Sequence, residues 1–287
     1  MKTYHECVPC FINQVIRSLP QIDEALHEDV LRDTLKALSD IDFSLSPPEM
    51  VKVVFDVIEH YSGGKDLYAE LKIKSNNYIL NLEAELRKII MAADDAFIVG
   101  LRLAIAGNII DFGTKENFSD ELIHREIDQA LAEQLPTAAI KELKVAIEQA
   151  EHILYLGDNA GEIVFDKLFI EQLPVDKITF AVRGAPVIND ALLADAEMVG
   201  IDKIVPVVNN GAAFPGTVVN RCSKEFQALF NNADLIISKG QGNYETLSEC
   251  GKNIFFLLKV KCAIVARNLE RQVGDFVVVA GDKLPLE

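Results

Sequence analysis

From residue 153 onward, six short apolar runs rich in β-branched and aromatic residues recur at 153–156, 178–182, 204–208, 235–238, 254–258 and 276–280, with helix-like stretches between them. Parallel strands need long crossovers, whereas antiparallel neighbours close with tight turns. The alternation therefore predicts an α/β fold, a Rossmann-like and mostly parallel sheet flanked by helices. The first third reads differently. Between Val8 and about Ala93, apolar residues such as Val15, Ile16 and Leu19, then Leu31, Leu35 and Leu38, return at spacings of three and four, which predicts an all-helical subdomain. Ser46-Pro47-Pro48-Glu49 reads as a cap opening an amphipathic segment from Met50 to about His60, residues 62–66 as a turn, and Ile79 to Met91 as a further helix. The expected division is a helical subdomain over 1–95 and an α/β domain over 96–287, with no linker marking the boundary. An apolar stretch fills Ala96 to Asp111, and residues 118–133 and 137–150 read as polar, exposed helices.

The net charge of -16, from 44 acidic against 28 basic residues, opposes attraction to nucleic acid or to an anionic membrane surface. No apolar run approaches the length needed to span a bilayer, and Met1-Lys2-Thr3-Tyr4-His5-Glu6-Cys7 lacks the plan of a signal peptide, so a cytoplasmic location is expected. The cysteines, at the odd count of five, do not suggest a secreted disulfide framework. Cys7-Val8-Pro9-Cys10 is a lone thiol pair, open to packing, metal binding or redox chemistry.

Candidate chemistry sits where strands give way to helices. Gly157-Asp158-Asn159-Ala160-Gly161-Glu162 follows the first run, Arg183-Gly184 through Asn189-Asp190 the second, and Lys239-Gly240-Gln241-Gly242-Asn243 the fourth. If the strands are parallel neighbours, these loops emerge at one sheet edge, where α/β proteins bind ligands. Asp158, Asn159 and Asp190 form a hard, all-oxygen donor set suited to Mg²⁺ or Mn²⁺ rather than zinc. Taken singly, Asn159, Asn189 and Asp190 could equally be helix caps. Lys239, with the flexible Gly240 and Gly242 and the adjacent Asn243, outlines a phosphate site near a helix N-terminus, although Lys239 could also be a solvated surface residue. Arg183 offers either a fork to phosphate or a partner for a neighbouring acid. Glu162, in a first helical turn, reads as a complement to the helix dipole.

These blocks, together with His5-Glu6-Cys7-Val8-Pro9-Cys10 and Ala106-Gly107-Asn108-Ile109-Ile110-Asp111, resemble the DUF89 family in order and over nearly the whole chain, specifically its prokaryotic Cys-x-x-Cys branch. The resemblance implies a metal-dependent phosphatase of the damage-control or ARMT1-like type. It puts the metal positions on Asp158, Asn159 and Asp190, the phosphate-binding lysine on Lys239, and Asn108 and Asp111 in the lining of the site. The implied cofactor is Mn²⁺ or Mg²⁺, with Co²⁺ or Ni²⁺ as further candidates. The implied partner is a small phosphorylated metabolite such as a sugar phosphate, a nucleotide or a related phosphomonoester. Asp158, Lys239 and Arg183 are the expected catalytic groups, and the nucleophile is either a water or the Asp158 carboxylate. Two rival readings are an S-adenosylmethionine-dependent methyltransferase and a noncatalytic phosphometabolite-binding protein.

Overall fold

The computed structural model describes residues 1–107 and 120–284. Six strands, β1 (Ile153–Leu156), β2 (Ile178–Val182), β3 (Val207–Asn209), β4 (Leu235–Lys239), β5 (Ile254–Lys259) and β6 (Phe276–Ala280), form one sheet in the order β3-β2-β1-β4-β5-β6. All neighbours are parallel except β6, which runs antiparallel to β5 with Phe256 opposite Val279. The third strand starts later than the run at 204–208 suggests. The amides of Ile204 and Val205 turn back to the Ile201 carbonyl, and Pro206 has no amide to give, so the ladder begins when the Phe180 amide takes the Pro206 carbonyl.

Alternation along the strands separates two apolar layers. Tyr155, Phe180, Ile237 and Leu257 face one, and Leu154, Ala181, Ile236 and Phe256 face the other. Because helices cover both faces, each strand reads as an unbroken apolar run rather than as apolar-polar alternation.

On the first face lie α4 (Ala69–Ala92), α5 (Ala96–Ala106), α8 (Glu162–Ile170) and α9 (Leu193–Val199). Helix α5 starts at Asp95, whose side chain accepts from the Ile98 amide, and it packs on α8. Helices α6 (Asp120–Ala132) and α7 (Thr137–Gln149) are less exposed than their composition suggests. Ile123, Ile127 and Ala130 of α6, and Ile140, Leu143 and Ile147 of α7, are buried at spacings of three and four, giving each helix one core face.

The N-terminal helices α1 (Val8–Ser18), α2 (His27–Ser39) and α3 (Pro47–Ser62) enclose their own cluster of Phe11, Val15, Ile22, Val30, Met50, Val54 and Ile58. The predicted cap of α3 is present: the Glu49 carboxylate accepts from the Ser46 amide at 2.9 Å, with Pro47 in the first turn. Helix α4 departs from the other three, since Ile79, Leu86 and Ile90 belong to the core of the sheet. On the second face lie α10 (Lys224–Asn232), α11 (Gln241–Leu247) and α12 (Ala263–Asn268). None of the described helices is long and apolar enough to cross a membrane.

Candidate functional site

Strand β1 has β2 on one side and β4 on the other, so the chain order reverses there and the loops beyond the carboxyl ends of these three strands meet at the switch point, where α/β sheets bind ligands. The loops after β1 and β2 are laced together. The Ala191 amide donates to the Asp158 carbonyl at 2.8 Å, the Ala160 amide to the Asn189 carbonyl at 2.9 Å, and Asn159 and Asp190 form an isolated antiparallel bridge. Ile188, just before this bridge, holds a φ of 43°, a left-handed conformation that a β-branched residue tolerates only under tertiary constraint.

Arg183, 3% exposed, ties the two carboxylates into one group. Its Nε donates to Asp190 Oδ2 at 2.6 Å, and its Nη2 reaches Asp158 Oδ1 at 3.5 Å. Nη1 bonds Thr217 Oγ1 and Asn243 Oδ1, both at 3.2 Å. Of the two sequence readings of Arg183, the structure displays the pairing with acids. Asn243 is fully buried and ties three loops together: besides Arg183 it accepts from Thr217 Oγ1 at 2.8 Å and donates to the carbonyls of Lys239 and Gly157.

Lys239 is no solvated surface residue; it is 0% exposed. It ends β4 on the face covered by α5 and α8. Its Nζ donates to the Ala104 carbonyl at 2.7 Å, to Glu162 Oε1 at 2.7 Å and to Asp166 Oδ1 at 2.6 Å. Tyr155 adds a hydroxyl bond to Asp166 at 2.8 Å. Burial works against the ammonium charge, but Asp166 and Glu162 outweigh it and push the Lys239 pKa up, so the side chain stays charged. Burial pushes the Asp166 carboxyl up to about 6 even with Lys239 beside it. Glu162, 1% exposed, does more than complement a helix dipole: it joins Lys239 to Asn159, whose Nδ2 donates to Glu162 Oε2 at 3.2 Å and to Asp158 Oδ2 at 2.8 Å.

Gly240 faces the Asp158 carboxylate so closely that a Cβ built there would lie 2.0 Å from Oδ2, and its φ is +80°. Its amide continues the ladder to the Leu257 carbonyl at 3.1 Å and is engaged there. Gly242 packs against the Pro215 carbonyl, which a Cβ would meet at 2.0 Å. Asn108 and Asp111 lie outside the described residues.

Among the described residues, the buried groups joined here are Asp158, Glu162, Asp166 and Asp190 against Arg183 and Lys239, four carboxylates to two cations. Asp158 lies among like charges. Burial, then Glu162 and Asp190, push its carboxyl up to about 8 against the opposing pull of Arg183 and Lys261. Burial raises Asp190 as well, with Arg183 opposing. Two adjacent buried carboxyls whose ionisation burial opposes, Asp158 and Asp190, offer hard oxygen donors that fit a divalent cation. Asp158, Asn159 and Asp190 would hold it, since a half-turn of the Asn159 amide presents its Oδ1 in place of Nδ2. Among the described residues no group of three or more His, Cys, Asp or Glu side chains is arranged for a metal, so the set rests on two carboxylates and an amide. Cys7 and Cys10 are free thiols whose pKa values burial raises.

The sequence reading missed Asp166 and Asn76. A signal existed for Asp166. It follows Glu162 by four residues in a helix whose other members are Ile163, Val164, Phe165, Lys167, Leu168, Phe169 and Ile170, and two acids on one face of so apolar a helix call for a buried cation.

Residues 3–277 match the model of the damage-control phosphatase ARMT1-like domain. A damage-control phosphatase of Pyrococcus horikoshii is 35% identical over 286 residues, covering 96% of this chain and 97% of its own. A damage-control phosphatase of Archaeoglobus fulgidus is 32% identical over 291 residues, covering 96% and 98%. The crystal structure of a DUF89 family protein from P. horikoshii superposes with a TM-score of 0.87 at 33% identity, over 98% of this chain and 99% of that one.

Proposed function

Starting from the fact that the chain belongs to the damage-control phosphatase ARMT1-like family, also called DUF89, we propose that it hydrolyses phosphomonoesters of small metabolites with the help of a divalent cation. Sugar phosphates, nucleotides and related compounds form the substrate class. The names of the relatives, damage-control phosphatases at 32% and 35% identity, support the reaction class. The observation that carries the metal requirement is the pairing of the Asp158 and Asp190 carboxyls at the switch point, both buried and both raised.

Asp158, Asn159 and Asp190 hold the cation, which is Mn²⁺ or Mg²⁺ on the hardness of the donors, with Co²⁺ and Ni²⁺ to be included in any test. When bound, the cation supplies Lewis-acid stabilisation of the charge that develops on the phosphoryl oxygens. Arg183 orients Asp158 and Asp190 through its Nη2 and Nε and opposes the rise that burial imposes on both carboxyls. Lys239 acts from behind, holding Glu162 Oε1 and so fixing that side chain beside Asn159. Gly240 contributes by lacking a side chain, which leaves room for the Asp158 carboxylate.

The test is phosphate release from a panel of sugar phosphates, nucleotides and p-nitrophenyl phosphate by metal-stripped protein resupplied with Mg²⁺, Mn²⁺, Co²⁺ or Ni²⁺. Release that depends on the metal and vanishes in Asp158→Ala supports the reading. Absence of release with every metal sinks it.

A further inference from the structure

We propose that Asn76 is a positioning residue for the candidate cation site, a single side chain of α4 that braces both loops carrying the proposed ligands. The inference rests on the reading of Asp158, Asn159 and Asp190 as the cation's holders.

Asn76 is 0% exposed and lies in the N-terminal half of α4, far in sequence from either loop. Its Oδ1 accepts from the Gly161 amide at 2.6 Å, and its Nδ2 donates to Asp195 Oδ1 at 2.8 Å. The first bond fixes the end of the Asp158–Gly161 loop. Gly161 stands at the start of α8 with a φ of 81°, and its amide would otherwise be a buried orphan. The second bond fixes the helix that follows the Asp190 loop. Asp195 Oδ2 accepts from the Leu192 amide at 2.9 Å, one residue beyond Ala191, whose own amide holds the Asp158 carbonyl. Lys72, one turn earlier on α4 and 3% exposed, completes the network. Its Nζ is 2.6 Å from Asp66 Oδ2 and 4.0 Å from Asp195 Oδ2. Apart from the Leu192–Asp195 bond at the start of α9, each bond named here joins different elements, and such a network admits one arrangement of the loops. Residues that orient metal ligands without touching the metal typically change its affinity by about ten- to a hundredfold when altered.

The test exchanges the polarity of the Asn76–Asp195 bond. N76D keeps an acceptor for Gly161 but sets a carboxylate against Asp195. The double variant N76D/D195N restores a donor, now from position 195. Mn²⁺ binding is read from the free-ion electron paramagnetic resonance signal, and loop fixation from amide hydrogen exchange of segments 157–163 and 190–195 in metal-free protein. The expected result is Mn²⁺ affinity lowered about ten- to a hundredfold in N76D, faster exchange confined to the two segments, and recovery of both in the double variant. Unchanged exchange in N76D, or a double variant no better than N76D, overturns the brace. Should N76D not fold, the double variant decides alone: it must fold and exchange like the wild type, or the inference fails. Wild-type protein that binds no Mn²⁺ and releases no phosphate would defeat the proposed function, while the exchange data would still judge the brace.

Discussion

Replacing Lys239 by Met separates a lysine that holds the interior together from one that waits for substrate. The substitution keeps an unbranched side chain of similar length but removes the ammonium that three oxygens share. Glu162 and Asp166, 1% and 0% exposed, are then left as buried carboxylates without their counter-ion. Removing one partner of a buried ion pair costs about 3–5 kcal/mol, against about 0.5 kcal/mol or less for a surface change. For a chain of this length, a loss of about 4 kcal/mol lowers Tm by roughly 8 °C. The assay is urea unfolding of metal-free protein from about pH 8 to about pH 5. The folded Asp166 pKa already stands near 6, above the ordinary range, and rises further without Lys239. The folded variant therefore takes up a proton on acidification while the unfolded chain stays ionised, and the deficit shrinks as the pH falls. The double variant Lys239→Met/Asp166→Asn should recover more than 1 kcal/mol of the loss, because the two side chains are coupled. A Lys239→Met protein within about 0.5 kcal/mol of wild type at every pH would refute the reasoning.

Three further outcomes are expected. Gly240→Ala forces a Cβ into the space of Asp158 Oδ2 at a φ of +80°, so it should abolish cation binding and reduce stability, both readable by Mn²⁺ titration and thermal melts. Asp158→Asn should abolish phosphate release yet leave metal-stripped protein as stable as wild type or more so; because Asp158 is pushed up to about 8, the gain grows as the pH rises from about 4 to about 8, and a falling trend in melts over that range would contradict it. Glu49→Ala removes the acceptor for the Ser46 amide at the start of α3 and should cost about 1 kcal/mol in urea unfolding without altering metal binding.

The strands and the loops of the site were legible because both depend on local pattern. Runs such as Leu235–Lys239 carry their burial in composition, and Gly157 through Glu162 announces a strand exit by its glycines and acids. The fate of Lys239 was not, because it depends on which helix covers β4, and no spacing in Lys239-Gly240-Gln241-Gly242-Asn243 names Glu162 and Asp166 as its partners. Asn76 was hidden for a related reason. A polar residue at a buried helix position looks like any solvent-facing one until the helix is placed, and α4 is placed by the apolar residues Ile79, Leu86 and Ile90. The exposed reading of α6 and α7 failed because many charges masked a narrow apolar stripe.

Helix α4 gives the molecule a heritable indivisibility. Its apolar side chains complete the core over the sheet, and its Asn76 reaches the amide of Gly161. A gene fragment beginning at residue 96 would encode every strand but neither the missing wall nor the missing bond. An exchange of helical leaders between relatives would likewise carry α4 away from the loops it fits. Recombination at that boundary is therefore penalised twice, once in folding and once at the candidate site, and variation among such chains should accumulate by substitution within the whole length rather than by shuffling of its parts.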